Sequence, residues 1–242
     1  MYRIRIRLPQ GQTASYRYQD ILHDGLINAW LAAGARIEQV LGAQARPWTF
    51  AAIGGRRKDQ GMVHTLVVAT PDTELARHLR QIEPAQVRYA RANTAELIDF
   101  SSAEIIPELD PVPPQWGALG VLMLSPLVIS DSSNVERKCW HNRLDKVDLS
   151  PALSQRLSRL AGRPVQLQIQ ADALYLRANP RHDVLVKLKQ TPKGSGFVIG
   201  MKAPLVLVGR EEDLRLAWYA GLGEKTRSGF GCIGLLEQGI RR

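Results

Sequence analysis

This sequence is short of cysteine and has no long apolar run. Its two cysteines, Cys139 and Cys232, stand far apart in 242 residues, so a disulfide framework and zinc-ligand spacing are both lacking. The longest apolar stretch, around residues 121–124, is interrupted by Ser125-Pro126 and is too short to span a membrane. The N-terminus alternates arginine with aliphatic residues, which indicates a strand and not a signal peptide. We therefore expect a reduced, cytoplasmic protein that makes no membrane contact.

Lysine is scarce in the first half of the chain, where Lys58 stands alone. Residues 1–115 carry 13 Lys and Arg against 12 Asp and Glu, and residues 116–242 carry 19 against 11. The net charges are therefore +1 and +8. A basic half joined to a nearly neutral one favours a polyanionic partner, and nucleic acid in particular, over charge that serves solubility alone.

Glycine is concentrated near the C-terminus, with five glycines in residues 221–234 and the cations Lys225 and Arg227 between them. An amphipathic segment precedes this stretch and aliphatic residues follow it, so the order is helix, glycine-rich loop, strand. Backbone N–H groups in such loops bind phosphate. The alternative is a turn that only lets a helix pack closely on a strand.

Known glycine motifs do not fit this loop. Glu224 stands where a P-loop needs its last glycine, and Thr226 stands where a dinucleotide fingerprint needs its third. Gly229-Phe230-Gly231 matches the centre of the RNA-recognition sheet motif, but Cys232 replaces the next aromatic residue.

Hydrophobic periodicity predicts an α+β fold of two tandem ferredoxin-like (RRM-like) β-α-β-β-α-β domains. The first is assigned to residues 1–104, with helices over 18–33 and 72–82 and strands over 2–8, 48–53, 62–70 and 87–90. Residues 96–100 are a further candidate strand. A proline-rich linker is assigned to 105–117. The second domain, 118–242, is expected to add one strand pair to the same order. Its strands are predicted over 120–129, 165–170, 184–188 and 197–208, and its helices over 150–161 and 211–220, before the glycine-rich loop and a last strand.

The loop sequence 220–231, Ala-Gly-Leu-Gly-Glu-Lys-Thr-Arg-Ser-Gly-Phe-Gly, has two Gly-hydrophobic-Gly units around a short spacer. With Trp218-Tyr219 before it and Leu124-Ser-Pro-Leu127, it resembles the CRISPR-associated endoribonucleases that cut repeat RNA into guides, the sixth Cas family of the RAMP superfamily. The resemblance implies a metal-independent cut, in which a ribose 2′-OH attacks the adjacent phosphate to give 2′,3′-cyclic phosphate and 5′-OH ends. It implies no cofactor and no metal. The implied partner is CRISPR repeat RNA, single-stranded or stem-loop, with other Cas effector subunits left open.

Members of that family often use a histidine in or just after the first helix, with a tyrosine or lysine nearby, and histidine serves as acid or base near neutrality. The resemblance thus implies a catalytic set of His23, Tyr16, Tyr18 and Lys58. Each residue has a plainer alternative: His23 as a surface histidine at a helix edge, the tyrosines as packing residues, and Lys58 as a solvated hairpin charge. The expected RNA-binding residues are Arg56, Arg57, Lys187, Lys189, Lys193, Gly221, Gly223, Lys225, Arg227, Gly229 and Gly231.

Two rival functions stay open at this point. The chain could be a binding-only RAMP subunit that holds guide RNA without cutting it, or, more remotely, a nucleotide-binding protein that uses the loop for a mononucleotide.

Overall fold

A computed structural model of the chain describes residues 1–92, 94–131, 139–192 and 194–236. These residues form two compact units. The first contains 1–109 together with two later segments, 187–197 and 227–229, and the second contains the rest of the described chain. The glycine-rich stretch is thereby divided, because 227–229 belong to the first unit and its flanking residues to the second.

The first unit is built on an antiparallel sheet with the strand order β7-β1-β4-β3, the order of a ferredoxin-like fold. Helices α1 and α3 supply the two crossovers, β2 extends the sheet beside β4, and β5 and β6 pair with each other apart from it. The elements are β1 (Tyr2–Arg7), β2 (Ala14–Tyr16), α1 (Asp20–Ala32), α2 (Ile37–Val40), β3 (Thr49–Arg57), β4 (Gln60–Thr70), α3 (Thr73–Leu79), β5 (Arg88–Arg91), β6 (Glu96–Asp99) and β7 (Glu104–Pro107).

The fourth strand of this sheet was predicted in the wrong place. The fourth strand is β7, which pairs with β1 through Ile105 and Ile106, and not the predicted strand at 87–90. The linker assigned to 105–117 is therefore wrong at both ends, since β7 occupies its start and the next strand begins at Trp116. Pro107 is compatible with this strand because β7 lies at the sheet edge, where a missing N–H is tolerated.

The arginine face of β1 is more buried than strict alternation predicts. Arg3 is fully buried, and Arg3 and Arg5 both pair with the carboxylate of Glu108. Burial alone would raise the pKa of Glu108, but the two arginines hold it below its usual value. The opposite face follows the prediction, because Ile4 and Ile6 belong to the main hydrophobic cluster together with Trp30 of α1.

The second unit repeats the topology with the strand order β11-β14-β8-β15. The predicted extra strand pair is confirmed as β12 and β13, which follow a short helix that the sequence did not indicate. The elements are β8 (Trp116–Met123), β9 (Ser130–Asp131), β10 (Cys139–Trp140), α4 (Leu149–Ala161), β11 (Leu167–Ala171), α5 (Ala173–Ala178), β12 (Asp183–Thr191), β13 (Gly194–Met201), β14 (Pro204–Arg210), α6 (Glu211–Ala220) and β15 (Ile233–Leu235).

Helix α4 protects the free edge of the second sheet with a row of serines. The hydroxyls of Ser150, Ser154 and Ser158 accept hydrogen bonds from the amides of residues 169, 167 and 165, at 2.9, 3.2 and 2.8 Å. The helix begins at Leu149, one residue before the predicted start, and its N-cap position is Asp148. Because the serines recur every fourth residue, they lie on one helix face and satisfy an edge strand that would otherwise expose its N–H groups.

In the described ranges no helix has the length and apolar character needed to cross a membrane.

Candidate nucleic-acid interface

The start of α1 is held by Gln19, a buried residue that the sequence analysis overlooked. Its amide donates to the carbonyl of Lys187 at 2.9 Å, and its side-chain nitrogen donates to the carbonyl of Gly229 at 3.1 Å. Its own carbonyl accepts from the amide of His23 at 3.4 Å. One residue thus connects the histidine turn of α1, the β12–β13 hairpin and the glycine-rich stretch, all within the first unit.

His23 lies at the edge of the buried face of α1, as predicted from the periodicity. Its ring stacks on Trp48, with centroids 5.8 Å apart and planes 17° apart, and 17% of its side chain is exposed. Its Nδ1 lies 3.3 Å from Asp24 Oδ1. With Nδ1 protonated toward this carboxylate, Nε2 carries the lone pair, and no hydrogen-bond partner of Nε2 is found in the part of the chain that the structure describes. The ring is therefore oriented, with one nitrogen unengaged.

The carboxylates near His23 share one arginine. Arg91 donates to Asp20 Oδ1 at 2.7 Å and also pairs with Asp24. Burial raises the pKa of Asp20, which outweighs the hydrogen bond from Arg91. Burial acts the same way on Asp24, but hydrogen bonds from His23 and Arg91 prevail and lower its pKa below the usual value. Asp24 is consequently ionised at neutral pH and can stabilise a protonated His23.

Tyr16 and Arg56 lie on either side of Gly61 in the sheet, because both pair with that residue across β4. The Tyr16 ring covers Gly61, where an added Cβ would come within 2.5 Å of the ring. Burial raises the pKa of Tyr16, against a smaller opposing effect of Arg56. The phenol therefore keeps its proton at neutral pH and stands near a cation.

Tyr18 is buried and its hydroxyl is already engaged. The hydroxyl bonds Gln190 Oε1 and lies 3.3 Å from Ser195 Oγ, both on the β12–β13 hairpin. In the described residues no hydrogen bond, ion pair or ring contact joins His23 to Tyr16, Tyr18 or Lys58. The geometry therefore assigns Tyr18 to holding the hairpin.

The first-unit cations lie at an exposed hairpin tip. Strands β3 and β4 continue to a tight turn. Arg56 and Arg57 therefore lie in β3, although the predicted strand ended at residue 53. Lys58 is in the turn, with φ of 54°. All three side chains are exposed, and no carboxylate is paired with them among the residues described.

The second group of cations lies on β12. Lys187 is half-buried and Lys189 is exposed, and neither has a carboxylate partner within the described ranges. Lys193, the third residue predicted here, lies outside the described residues.

Four backbone amides of the glycine-rich loop already have acceptors within the protein. The amide of Gly221 donates to Ala217, that of Leu222 to Gly231, that of Glu224 to Val128 and that of Gly231 to Pro126, at 2.7–3.0 Å. The amides of Gly221 and Gly231 are therefore not free to bind phosphate, contrary to the expectation. In the described part of the chain, the amides of Gly223 and Lys225 have no such partner.

Two glycines are needed for close approach as well as for a positive φ. An added Cβ at Gly231 would lie 1.8 Å from the Leu222 carbonyl oxygen, and one at Gly229 would lie 2.3 Å from Gln19 Nε2. Their φ angles are 68° and 83°, which only glycine adopts without strain. Gly229 and Gly231 are thus required by the shape of the loop.

The loop cations differ in their surroundings. Lys225 is partly exposed with φ of 57°, and no carboxylate pairs with it where the chain is described. Arg227 donates to the Gly42 carbonyl at 2.9 Å, and burial lowers the pKa of its guanidinium. Two further side-chain bonds hold the loop in place. Arg156, which no local pattern indicated, donates to Thr226 Oγ1 at 3.1 Å, and Glu224 accepts from the Ser130 amide at 3.0 Å.

No group of three or more His, Cys, Asp or Glu side chains arranged to hold a metal ion occurs among the residues that the structure describes.

The fold of two ferredoxin-like units with a glycine-rich loop after the last helix is also found in solved structures of other proteins. One similar structure is described as a RAMP protein binding different RNA substrates, with 18% identity and a TM-score of 0.66 over 98% of this chain and 100% of that chain. A Cas6-related protein from Pyrococcus furiosus has 18% identity and a TM-score of 0.69, covering 98% and 99%. A Cas6 product complex has 17% identity and a TM-score of 0.60, covering 97% and 99%.

The model of the CRISPR-associated protein Cas6 C-terminal domain matches residues 113–235, slightly more than half of the chain. The chain therefore belongs to the Cas6 family of CRISPR-associated repeat-RNA-processing proteins, which confirms the resemblance seen in the glycine-rich stretch. A search of curated proteins finds no match.

Proposed function

We propose that this protein is a metal-independent endoribonuclease that cleaves CRISPR repeat RNA to produce guide RNA. The observation that carries the proposal is His23, whose Nδ1 is 3.3 Å from an ionised Asp24 while Nε2 has no partner within the described chain. Family membership and the similarity to a Cas6 product complex support RNA as the substrate.

The proposed reaction needs one base, one acid and positive charge. His23 Nε2 takes the proton of the ribose 2′-OH as the 2′-oxygen forms a bond to phosphorus and the bond between phosphorus and O5′ breaks. A proton delivered to O5′ completes a 2′,3′-cyclic phosphate and a 5′-OH. Tyr16 is our candidate for that acid, because burial keeps it protonated. Tyr18 stays a predicted member of the set, with its hydroxyl now shared with the hairpin.

The RNA backbone is assigned to the exposed cations. Arg56, Arg57 and Lys58 would stabilise the charge that develops on the phosphorane. Lys187, Lys189, Lys193 and Lys225 would bind phosphates, with Arg227 and the free amide of Gly223 contributing to the loop. Gly221, Gly229 and Gly231 act through loop shape.

A binding-only RAMP subunit is the second candidate, favoured by the limited exposure of His23 at 17% of its side chain. Incubation of repeat RNA with the protein in excess chelator separates the two functions. We expect a discrete cut that needs no added metal. Retention of intact RNA on the protein, with no cut in any repeat tested, would favour the binding-only subunit.

A further inference from the structure

A cavity of about 490 Å³ lies beside the start of α1 and belongs entirely to the first unit. It is separate from the contacts of His23 and is of the size that small-molecule groups occupy. Its lining residues are Arg17, Tyr18, Ala92, Thr94, Ala95 and Gln190.

Arg17 supplies an unpaired cation to this cavity. Its side chain is exposed, and no acceptor for its guanidinium is found among the described residues. The carboxylate nearest in the hydrogen-bond network, Glu96, is already occupied: Oε1 accepts the amides of residues 17 and 18, and Oε2 accepts the hydroxyl of Thr94 at 2.6 Å. The guanidinium fork is therefore available for a ligand with two adjacent acceptors.

Gln190 presents its other half to the cavity. Its carbonyl oxygen is occupied by the Tyr18 hydroxyl, which leaves the side-chain NH₂ as the group that can bind a ligand. Because Tyr18 is buried and also bonded to Ser195, the orientation of Gln190 is fixed. The two long polar side chains at the cavity, Arg17 and Gln190, thus both offer N–H donors.

We propose that this cavity binds one unpaired guanine of the RNA through its O6 and N7 atoms. Those atoms are adjacent acceptors on an edge without a donor, which suits the arginine fork. The matching edge of adenine carries the N6 amino group, and the O2 and N3 acceptors of cytosine stand beside its N4 amino group. In either base the amino group, itself a donor, would face the N–H donors of the cavity. The proposal rests on RNA being the ligand of this protein.

Binding of pentaribonucleotides to the full chain tests the proposal, with UUGUU, UUAUU and UUCUU as probes. We expect the guanine probe to bind at least about fivefold more tightly than the other two, as one bidentate contact allows. Replacing guanine with 7-deazaguanine should remove most of that preference, because N7 is lost. Equal affinity for all probes would overturn the guanine site.

The variant Arg17→Lys separates base recognition from charge, since it keeps the cation and loses the fork. It should bind the three probes within about twofold of one another while total affinity changes little. The matched control is Arg36→Lys, at an exposed arginine paired with Glu38, which should keep the guanine preference. A preference that survives Arg17→Lys would refute the site while leaving the endonuclease proposal intact. Failure of every probe and of repeat RNA to bind would overturn both.

Discussion

Helices α1 and α4 each follow the first strand of a ferredoxin-like unit, but their polar side chains have different partners. On α4 the serine hydroxyls accept hydrogen bonds from backbone amides at residues 165–169, and Arg156 is bonded to the glycine-rich loop. On α1 the corresponding surface carries His23 and Asp24, whose bonds leave an imidazole nitrogen free in the described structure. The polar side chains of the two helices therefore differ in their partners, and the histidine proposed as catalytic lies on α1.

The largest effect should come from α1, the helix that carries His23. We expect His23→Ala to reduce repeat-RNA cleavage by about 10²–10⁴-fold, the usual contribution of a general acid or base. RNA affinity should persist, because the cations proposed to bind phosphate are not on α1. Single-turnover cleavage and filter binding measure the two quantities. His64→Ala, at an exposed histidine bonded to Thr65, should leave both unchanged, and unchanged cleavage in His23→Ala would remove that residue from the mechanism.

Helix α4 should respond in the opposite manner, because its variants should change stability and not cleavage. Ser154→Ala leaves the Leu167 amide without its acceptor and should lower the free energy of unfolding by about 1–3 kcal/mol. Cleavage per folded molecule should not change. Gln155→Ala, at the next and exposed position of the same helix, should stay within about 0.5 kcal/mol of the parent. Urea unfolding gives the comparison, and equal stability of the two variants would contradict the edge-protecting role.

A smaller effect is expected at Asp24. Its pKa is lowered in the folded protein, so its stabilising contribution is complete above its unfolded pKa and is lost as pH falls through the lower, folded value. Asp24→Asn removes the carboxylate that bonds Nδ1 of His23. We expect cleavage, measured as a single-turnover rate, to fall about tenfold, because the imidazole loses the partner that orients it.

Asp20→Asn is the matched control for this change, because Asp20 shares Arg91 and makes no bond to His23. Its cleavage rate should stay close to that of the parent protein. A fall of the same size in both variants would mean that Arg91, and not Asp24, holds the histidine in place.

The smallest effect is expected in the glycine-rich loop. Lys225→Ala should flatten the log–log salt dependence of RNA binding by about 0.7, the value for one single-strand phosphate contact. Lys146→Ala, at an exposed lysine beside Asp145, should leave the slope unchanged. Titrations at several salt concentrations measure it, and identical slopes for Lys225→Ala and the parent protein would remove Lys225 from the interface.

Local patterns predicted the tandem topology, but residues that act over long sequence separations escaped them. The α6 prediction, 211–220, matches the observed bounds, since an acidic first turn and a terminal glycine are local signals. The edge strand β7 was missed because Pro107 and the prolines that follow the strand indicated a linker and outweighed two isoleucines. Gln19 and Arg156 were missed because their partners are 210 and 70 residues away, and no periodicity reports such bonds.

The glycine-rich stretch indicated the family correctly, but the phosphate-binding role predicted for all of its glycines agrees less well with the structure. Glycines at 229 and 231 are required by close packing, and the amides of Gly221 and Gly231 bond within the protein. Sequence alone does not separate a glycine that admits a phosphate from one that admits a neighbouring backbone, because both leave the same gap in the side-chain pattern.

The most direct test of the central claim is the chemistry of the cut ends. Repeat RNA and a copy with a single 2′-deoxy substitution at the scissile ribose should be incubated with the protein in excess chelator and analysed by mass spectrometry. If the ribose 2′-OH is the nucleophile, the first RNA gives a 2′,3′-cyclic phosphate and a 5′-OH, and the second RNA is not cut. Cleavage of the 2′-deoxy RNA at the same position would contradict this mechanism.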